Sequence, residues 1–498
     1  NGNNGQTVLS YRSRGKSVAS EPVFSIRNLA VEEDMEYYVQ SRWKLQGRKL
    51  VYYGLRNKEH LFENEIHLSR KQAVLIASLP RDLNHFEEKS LQPLIGVQIV
   101  SRNQLRAIPN SVEEATFCKN CCANDFMIPG IEFDEKGLCP LCQAKEEEKG
   151  LVSLVPVITE IPRAKHSRFD AALFYTGGKD STFLLYYLSE VMGLRILAMT
   201  WEIPWMSENA KQSIENAKQR LGKVEFICRT VSRQDLMRIY HRLYLLNGNT
   251  CACPSLAYML FYPEMVANRV PYFLAGNEPV QMLGLFYNHM APKFAYSFEK
   301  RRFLNILISV WRLLTLRPPL KKGQLHTLMT MKQLAYGGNP IKERLYPNEL
   351  LSNVTKALHS VPELLPPLKR AIRSSSRSGR IPAFVHLDFN AACGGRYDWK
   401  NVKELLVKTC GWVPPSDAGQ GLHTSCCIER CKEHSQFIRF RACESRMIPF
   451  SALELALASR DHYVTREEAI YELKNTLGFC QEPVCEYMLI QKILEESP

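Results

Sequence analysis

The chain has 498 residues, 45% hydrophobic and 23% charged, a composition typical of a soluble globular protein with two or three domains. No apolar run reaches 18 residues, so we expect no membrane-spanning helix. The net charge is +13, and residues 301–380 carry 15 Lys and Arg against 3 Glu. Such a segment indicates either a surface for an anionic partner, such as RNA, phosphorylated sugars or lipid head groups, or a solvated basic insertion.

The 16 cysteines indicate metal sites in a reducing compartment, because they fall in tight clusters. None of them precedes Cys118. We therefore expect a cytoplasmic protein.

The first 115 residues divide into a tail and a small module. The polar residues 1–30 have no signal-peptide core and are expected to form a flexible tail. Residues 31–115 predict two strands around Gln46-Gly47, then a helix, then a helix that runs into a strand. This winged-helix-like α+β order resembles the peptide-recognition domains of enzymes that modify ribosomal peptides.

Residues 116–145 hold two C-x-x-C pairs separated by a gap of 17 residues. Two such knuckles suit tetrahedral Zn²⁺, and four ligands leave no open position, so we expect a structural zinc-ribbon module with four cysteine ligands. A thiol redox pair is the alternative. Cys122 is the spare thiol and is expected to be packed. The predicted metal ligands are Cys118, Cys121, Cys139 and Cys142.

A charged and then Pro-spaced linker is expected over residues 146–165, and strands and helices alternate after it. The runs "RFDAALFY", "LRILAMTWE", "VEFICRTV" and "VPYFLAGNEP" predict buried strands, with helices between them. The alternation predicts an α/β fold with a doubly wound parallel sheet over residues 166–300.

The turn after the first of these strands reads Thr-Gly-Gly-Lys-Asp-Ser, residues 176–181. Gly177 and Gly178 let the backbone turn sharply and let amide groups face a ligand. Ser181 then opens a helix, whose N-terminus favours an anion. The pattern is neither G-x-x-x-x-G-K-[ST] nor G-x-G-x-x-G, so we expect a phosphate cradle of another kind.

This turn resembles the PP-loop signature Ser-Gly-Gly-x-Asp-Ser of the N-type ATP pyrophosphatases, or adenine nucleotide α-hydrolases. The resemblance implies a HUP/PP-loop fold and an enzyme that transfers AMP from ATP to a carbonyl or amide oxygen. A nitrogen or sulfur nucleophile then displaces the AMP. Lys179 would neutralise pyrophosphate and Asp180 would help place Mg²⁺. The implied nucleotide-binding residues of the turn are Thr176, Gly177, Gly178, Lys179, Asp180 and Ser181, and Thr200 and Gly276 are further candidates. Asn277 and Glu278 follow the buried strand "YFLAG" and are expected either to face the ligand crevice at the carboxyl edge of the sheet or to form a capping turn.

Further stretches are similar to the N-acetyl sugar amidotransferases of lipopolysaccharide, pseudaminic and legionaminic acid biosynthesis. They are "PGIEFDEKGLC", "CACP", "VPYFLAGNEP", "HTSC" and "VTREEAI". This resemblance implies an ATP-dependent amidotransferase, with a sugar or a peptide conjugate as the substrate. No glutaminase motif is visible in the sequence, so we expect the ammonia to come from a separate glutaminase partner or from free ammonium.

Three further cysteines keep a second function open. Cys251, Cys253 and Cys426 resemble the arrangement in tRNA-thiolating PP-loop enzymes, where three cysteines hold a [4Fe–4S] cluster. They indicate a cluster, a catalytic or persulfide-carrying thiol, or packed thiols. The alternative function is a sulfurtransferase that makes a thioamide or a thiolated tRNA, with tRNA bound by the basic residues 301–380. The expected catalytic residues are Lys179, Asp180, Ser181, Cys251, Cys253 and Cys426.

Residues 301–380 interrupt the α/β alternation. Within them "RFLNILISVWRLLTLR" predicts a basic amphipathic helix, and the Ser/Arg-rich "LKRAIRSSSRSGR" predicts a loop. Residues 381–498 are expected to return to the catalytic domain and to end in a helical tail. There "RYDWKN" predicts the start of a helix rather than substrate contacts. A third hypothesis, from a different functional class, is a scaffold protein that binds a nucleotide without catalysis.

Overall fold

The computed structural model describes residues 36–55, 65–102, 108–146, 148, 155–247, 252–288, 298–338, 349–415, 426, 429–442, 447–475, 479 and 495. The strands within them are β1 Tyr38–Val39, β2 Trp43–Gln46, β3 Lys49–Tyr52, β4 Glu65–His67, β5 Val100–Ser101, β6 Val157–Ile158, β7 Ala171–Phe174, β8 Ile196–Trp201, β9 Val224–Arg229, β10 Tyr272–Ala275, β11 Ala383–Phe384 and β12 His386–Leu387. The α-helices are α1 Arg70–Ala77, α2 His85–Ile95, α3 Pro140–Gln143, α4 Lys179–Tyr186, α5 Glu208–Arg220, α6 Arg233–Asn247, α7 Cys253–Ala267, α8 Pro279–Tyr287, α9 Phe298–Leu314, α10 Gln324–Tyr336, α11 Glu349–Leu358, α12 Leu365–Ser378, α13 Phe389–Ala392, α14 Trp399–Cys410, α15 Glu429–Arg441, α16 Phe450–Arg460 and α17 Arg466–Asn475.

A five-stranded parallel sheet forms the centre of the fold, in the order β11-β10-β7-β8-β9. From β7 the chain moves outward through β8 and β9, and it then returns to the other side of β7 through β10 and β11. The predicted doubly wound parallel sheet is confirmed. The strand order reverses between β7 and β10, and in such sheets ligands bind at the carboxyl ends of the strands at this point.

Both faces of the sheet are covered, which explains why its central strands are continuously apolar. All four residues of β7 are buried. Ala171 and Leu173 contribute to the core under α4, α5, α14 and α16. Ala172 and Phe174 contribute to the core under α6, α7, α10, α11 and α12.

The loop prediction for "LKRAIRSSSRSGR" is wrong, because this stretch lies in the helix α12 and the residues just after it. Prolines in its first turn suit the start of a helix. Leu368 and Ile372 are buried, and the Ser375 hydroxyl is 2.8 Å from the Tyr262 hydroxyl of α7. The helical spacing of the buried residues therefore decides the structure, although the composition is typical of a loop.

The N-terminal module has the predicted α+β content. The hairpin of β2 and β3 pairs with β4, β1 pairs with β5, and capping boxes begin both α1 and α2. The buried Arg42 stacks its guanidinium 3.5 Å from the ring centroid of Phe440, which attaches the module to α15. The likeness to a winged helix remains a prediction.

The expected linker 146–165 contributes a strand of its own, because β6 pairs in parallel with β12. None of the described helices is both long and apolar enough to cross a membrane.

Candidate nucleotide site and metal centre

Two turns meet at the carboxyl edge of the sheet, where the strand order reverses. Residues 175–178 connect β7 to α4, and residues 276–278 connect β10 to α8. Since β7 and β10 are neighbours and parallel, both turns leave the sheet on the same side. The signature turn therefore lies in the crevice that this type of sheet uses for ligands.

Two glycines allow the close approach of these turns. Gly177 has a φ of +75°, and a Cβ there would overlap the carbonyl oxygen of Ala210. A Cβ on Gly276 would lie 2.8 Å from the backbone nitrogen of Ser181. The absence of both side chains brings bare backbone to the crevice.

Hydroxyl groups line the turn beside these glycines. The hydroxyl oxygens of Thr176 and Ser181 are 3.2 Å apart, and the Gly178 amide donates to the Thr176 hydroxyl at 3.4 Å. No side-chain hydrogen bond caps α4 within the described residues. The exposed Thr176 and the amides of the first turn of α4 form a cradle that fits an anionic group.

Behind the turn, the ammonium group of Lys179 lies in a closed cage. It contacts the carboxylate of Asp180, lies 3.5 Å from Glu278 Oε2 and donates to the Tyr397 hydroxyl at 3.3 Å. The rings of Tyr397 and Trp399 have their centroids 4.6 and 4.8 Å from Lys179 Nζ. The side chain of Lys179 is only 6% exposed, so its charge is balanced inside the protein.

The cage shifts the pKa values of its members. Burial and the charge of Asp180 raise the pKa of Glu278 to about 8, although Lys179 acts in the opposite direction. For Lys179, burial lowers the pKa, but the charges of Asp180 and Glu278 outweigh burial and raise it. Burial also raises the pKa of Tyr397 well above its ordinary value. Near neutral pH the cage therefore holds a charged lysine and a mostly protonated Glu278.

Residues from far along the chain complete the cage. The Trp399 indole donates to Glu278 Oε2 at 2.8 Å, and the Trp412 indole donates to the carbonyl of Gly177 at 3.1 Å. The predicted helix start is confirmed, because Asp398 caps α14, but Tyr397 also lies in the site. The sequence stretch "RYDWKN" could have indicated residues of the site, because it combines aromatic and charged side chains. No pattern in the sequence indicated that Trp412 contacts the turn.

The remaining predicted nucleotide residues differ in position. The buried Thr200 donates its hydroxyl to the carbonyl of Tyr175 at 3.0 Å, so it joins two strands. Asn277 is half-buried in the turn after β10. Glu278 caps the N-terminus of α8 and faces the cage.

The second group of cysteines is described only in part. Cys251 lies outside the described residues. Cys253 begins α7, and its sulfur is 3.8 Å from the Tyr240 hydroxyl. Tyr240 stacks on Trp205, next to Met206, which forms a β-bridge with Cys426. Cys426 therefore borders residues 202–206, which follow the carboxyl end of β8, and Cys253 is connected to the same residues through the ring of Tyr240.

The four predicted metal ligands do come together. The sulfur atoms all lie within 4.8 Å of one another, with 3.8 Å between Cys118 and Cys142 and 3.6 Å between Cys121 and Cys139. Tetrahedral thiolates at about 2.3 Å from one ion are about 3.8 Å apart. The spacing fits a single tetrahedral ion, whereas a [4Fe–4S] cluster binds each thiolate to a different iron and needs a wider set.

Backbone amides and arginines support this metal centre. The amides of Asn120 and Cys139 donate to Cys118 Sγ at 3.5 and 3.3 Å, which stabilises a thiolate. Arg466 Nη2 donates to the carbonyl of Cys118 at 2.8 Å, and Arg466 Nε donates to the carbonyl of Cys121 at 3.2 Å. The module is thereby attached to the start of α17.

Cys122 is packed, as predicted. It is fully buried, its amide donates to the Ser459 hydroxyl, and burial raises the pKa of its thiol to about 12. It therefore stays protonated and packs against α16.

Comparisons with known proteins identify no family for this chain. No protein-family model matches the chain, and no match was found among curated protein sequences. One solved structure that it matches is the "U34-tRNA thiolase NcsA from Methanococcus maripaludis with its [4Fe-4S] cluster", at 12% identity and a TM-score of 0.25, covering 76% of this chain and 89% of that one. A TM-score this low carries no argument about the site.

Proposed function

We propose that this chain is an ATP-dependent adenylating enzyme of the PP-loop ATP pyrophosphatase type. The observation that carries the proposal is the position of Thr176–Ser181, a glycine-rich turn at the carboxyl edge of a doubly wound sheet where the strand order reverses. There the enzyme would cleave ATP into AMP and pyrophosphate, and AMP would pass to an oxygen of the acceptor.

The cradle gives the residues separate roles in this proposal. The amides of the turn and the Thr176 and Ser181 hydroxyls would bind the phosphates. Asp180, with its side chain 12% exposed, is the residue of the cage that would reach Mg²⁺. Lys179 would hold Asp180 in place and would contribute positive charge from behind the turn.

The nucleophile in the second step is proposed to be sulfur. The supporting observation is that Cys426 borders residues 202–206 at the carboxyl side of the sheet and that Cys253 contacts Tyr240, whose ring stacks on Trp205 of the same segment. With Cys251 they would hold a cluster or carry a persulfide, and the acceptor would be an amide or a tRNA base. The alternative is ammonia transfer to a sugar or peptide, supported by the sequence resemblance to sugar amidotransferases.

The four-thiol centre is proposed to hold structural Zn²⁺. Four Cys ligands at tetrahedral spacing leave no position for a substrate, and the chemistry of the ligand set suits zinc. The ion would fix the module against α16 and α17.

Nucleotide binding tests the first part of the proposal. Calorimetry with Mg–ATP and the full chain should give one site, and Asp180→Asn should weaken binding about tenfold or more. Lys211→Gln is a matched control, because Lys211 is exposed on α5 and its ammonium group lies 2.6 Å from its helix neighbour Glu208. Equal affinities for the wild-type chain and Asp180→Asn would refute the assignment of the turn.

Metal analysis separates the two nucleophiles. After anaerobic purification, iron and sulfide lost on Cys253→Ala would support sulfur transfer, with zinc retained. Zinc without iron, together with ammonium-dependent formation of AMP, would reject sulfur transfer and support the amidotransferase.

A further inference from the structure

Helix α9 presents an apolar face to solvent that nothing in the proposed enzyme chemistry uses. The exposed fractions of the apolar side chains on this face lie between 49% and 75%, and Leu316, two residues after the end of α9, is 95% exposed. They are Phe303, Ile306, Leu307, Val310, Trp311, Leu313, Leu314 and Leu316. Elsewhere in the described residues, large exposed apolar side chains are scattered, so this cluster is exceptional for a protein surface.

The helix is anchored to the body by its opposite side. Arg312 is 3% exposed and donates to the carbonyls of Pro318 and Ser376, at 2.7 and 2.9 Å. Ser376 belongs to α12. The body therefore holds α9 through one buried arginine, and the apolar face points away from the anchor.

Cations border the helix where it is anchored. Three are exposed on the segment just after α9, and three are exposed on or just after α12, within four residues of Ser376. Among the described residues, none of these cations forms an ion pair with an acidic group. They are Arg317, Lys321, Lys322, Arg373, Arg377 and Arg380.

Positive charges repel one another at the anchored side of α9, among Arg312, Arg317 and Lys332. Burial lowers the pKa of Lys332, and so does the positive charge of the nearby Arg317 and Arg312. The pKa of Arg312 is lowered by burial and by Arg317 as well. The region would therefore gain from an anionic surface that supplies the missing negative charge.

We propose that α9 and its bordering cations dock the protein on an anionic lipid surface. An amphipathic helix with Trp, Phe and Leu on one side and basic residues beside it lies in the plane of the membrane interface, with the apolar side chains among the acyl chains. The cations would then contact the lipid head groups.

The composition of this face favours lipid over RNA. RNA would use the cations and could stack bases on Phe303 and Trp311, but it would leave the five aliphatic side chains of the helix without an apolar partner, since bases do not stack on Leu, Ile or Val. A bilayer interface accommodates both features at once. The proposal is independent of the adenylation chemistry.

The test is co-sedimentation of the full chain with vesicles. Phosphatidylcholine vesicles that contain phosphatidylserine should bind the chain, and the binding should weaken with salt and with removal of the phosphatidylserine. Leu307→Glu and Leu314→Glu should each reduce binding about tenfold. Arg373→Gln combined with Arg377→Gln should weaken binding to the anionic vesicles.

The matched control is Leu245→Glu on α6, where the leucine is 67% exposed, close to the 75% of Leu314. This variant should bind vesicles like the wild-type chain. Equal binding by Leu314→Glu and the wild type would overturn the proposal, and so would no binding to anionic vesicles at low salt. A dimer in solution that Leu307→Glu dissociates would also overturn it and would assign the face to a second copy.

Discussion

The hydroxyl group of Tyr397 donates a 2.7 Å hydrogen bond to the carboxylate of Asp180, although the two residues are 217 positions apart. Asp180 belongs to the signature turn, and Tyr397 lies just before α14. The residues after 380 therefore help to build the candidate site, because they fix the carboxylate that would face the metal of the nucleotide.

Replacing Tyr397 with Phe should slow the proposed ATP cleavage about tenfold and lower the free energy of unfolding by about 1–2 kcal/mol, because a buried hydrogen bond to a carboxylate is lost. Steady-state formation of pyrophosphate and denaturant unfolding measure the two effects. Tyr262→Phe is the control, since the buried Tyr262 hydroxyl lies 2.8 Å from the Ser375 hydroxyl in the core on the other face of the sheet. It should lose stability and keep its rate. Equal losses of rate in both variants would contradict a special role for Tyr397.

Gly276→Ala should weaken nucleotide binding about tenfold or more, because its Cβ would push against the backbone of Ser181 in the cradle. Gly284→Ala, eight residues later in α8, is the control, since nothing lies within 4 Å of its added Cβ. Calorimetric titration with Mg–ATP compares the two. If Gly276→Ala binds as tightly as Gly284→Ala, the close approach of the two turns has no part in binding.

The free energy of unfolding should depend on pH through Glu278. Its pKa is raised to about 8 in the folded chain, against about 4.3 in the unfolded chain. Between these pH values the folded state holds a proton that the unfolded state has lost, so its stability falls as the pH rises. Relative to Glu278→Gln, the wild-type chain should lose a few kcal/mol between about pH 5 and pH 8. Urea unfolding at several pH values tests this, and parallel curves for the two proteins would contradict the raised pKa.

Cys139→Ser should abolish the four-thiol metal centre, because three ligands bind a structural ion far more weakly than four. Cys122→Ala should keep the ion, since Cys122 packs outside the ligand set. Zinc content per chain and resistance to proteolysis around residues 116–146 report the outcome. Loss of the metal in Cys122→Ala with retention in Cys139→Ser would contradict the ligand assignment.

The sheet and the cluster of four cysteine sulfurs could be predicted because local patterns determine them. Apolar runs predict the parallel strands, and the spacing of two C-x-x-C pairs predicts four sulfurs at one point. The cage around Lys179 could not be predicted in the same way. Tyr397 and Trp399 reach it, and Trp412 reaches the carbonyl of Gly177 in the turn, through tertiary packing of α14 and the residues beside it. No spacing in the sequence signals such contacts.

Helix α12 shows where composition misleads. Serine and arginine are frequent in loops, but Leu368 and Ile372 recur at helical spacing and are buried against α7. The exposed arginines lie on the other face. Tertiary burial thus outweighs the weak local preference of serine.

Product analysis with labelled ATP tests the central claim most directly. The full chain is incubated with [γ-³²P]ATP, Mg²⁺ and acceptor fractions from cells, with Asp180→Asn alongside. The account predicts labelled pyrophosphate and an equal amount of AMP, lost in Asp180→Asn. Labelled orthophosphate with ADP, or pyrophosphate that Asp180→Asn still releases at the wild-type rate, would contradict it.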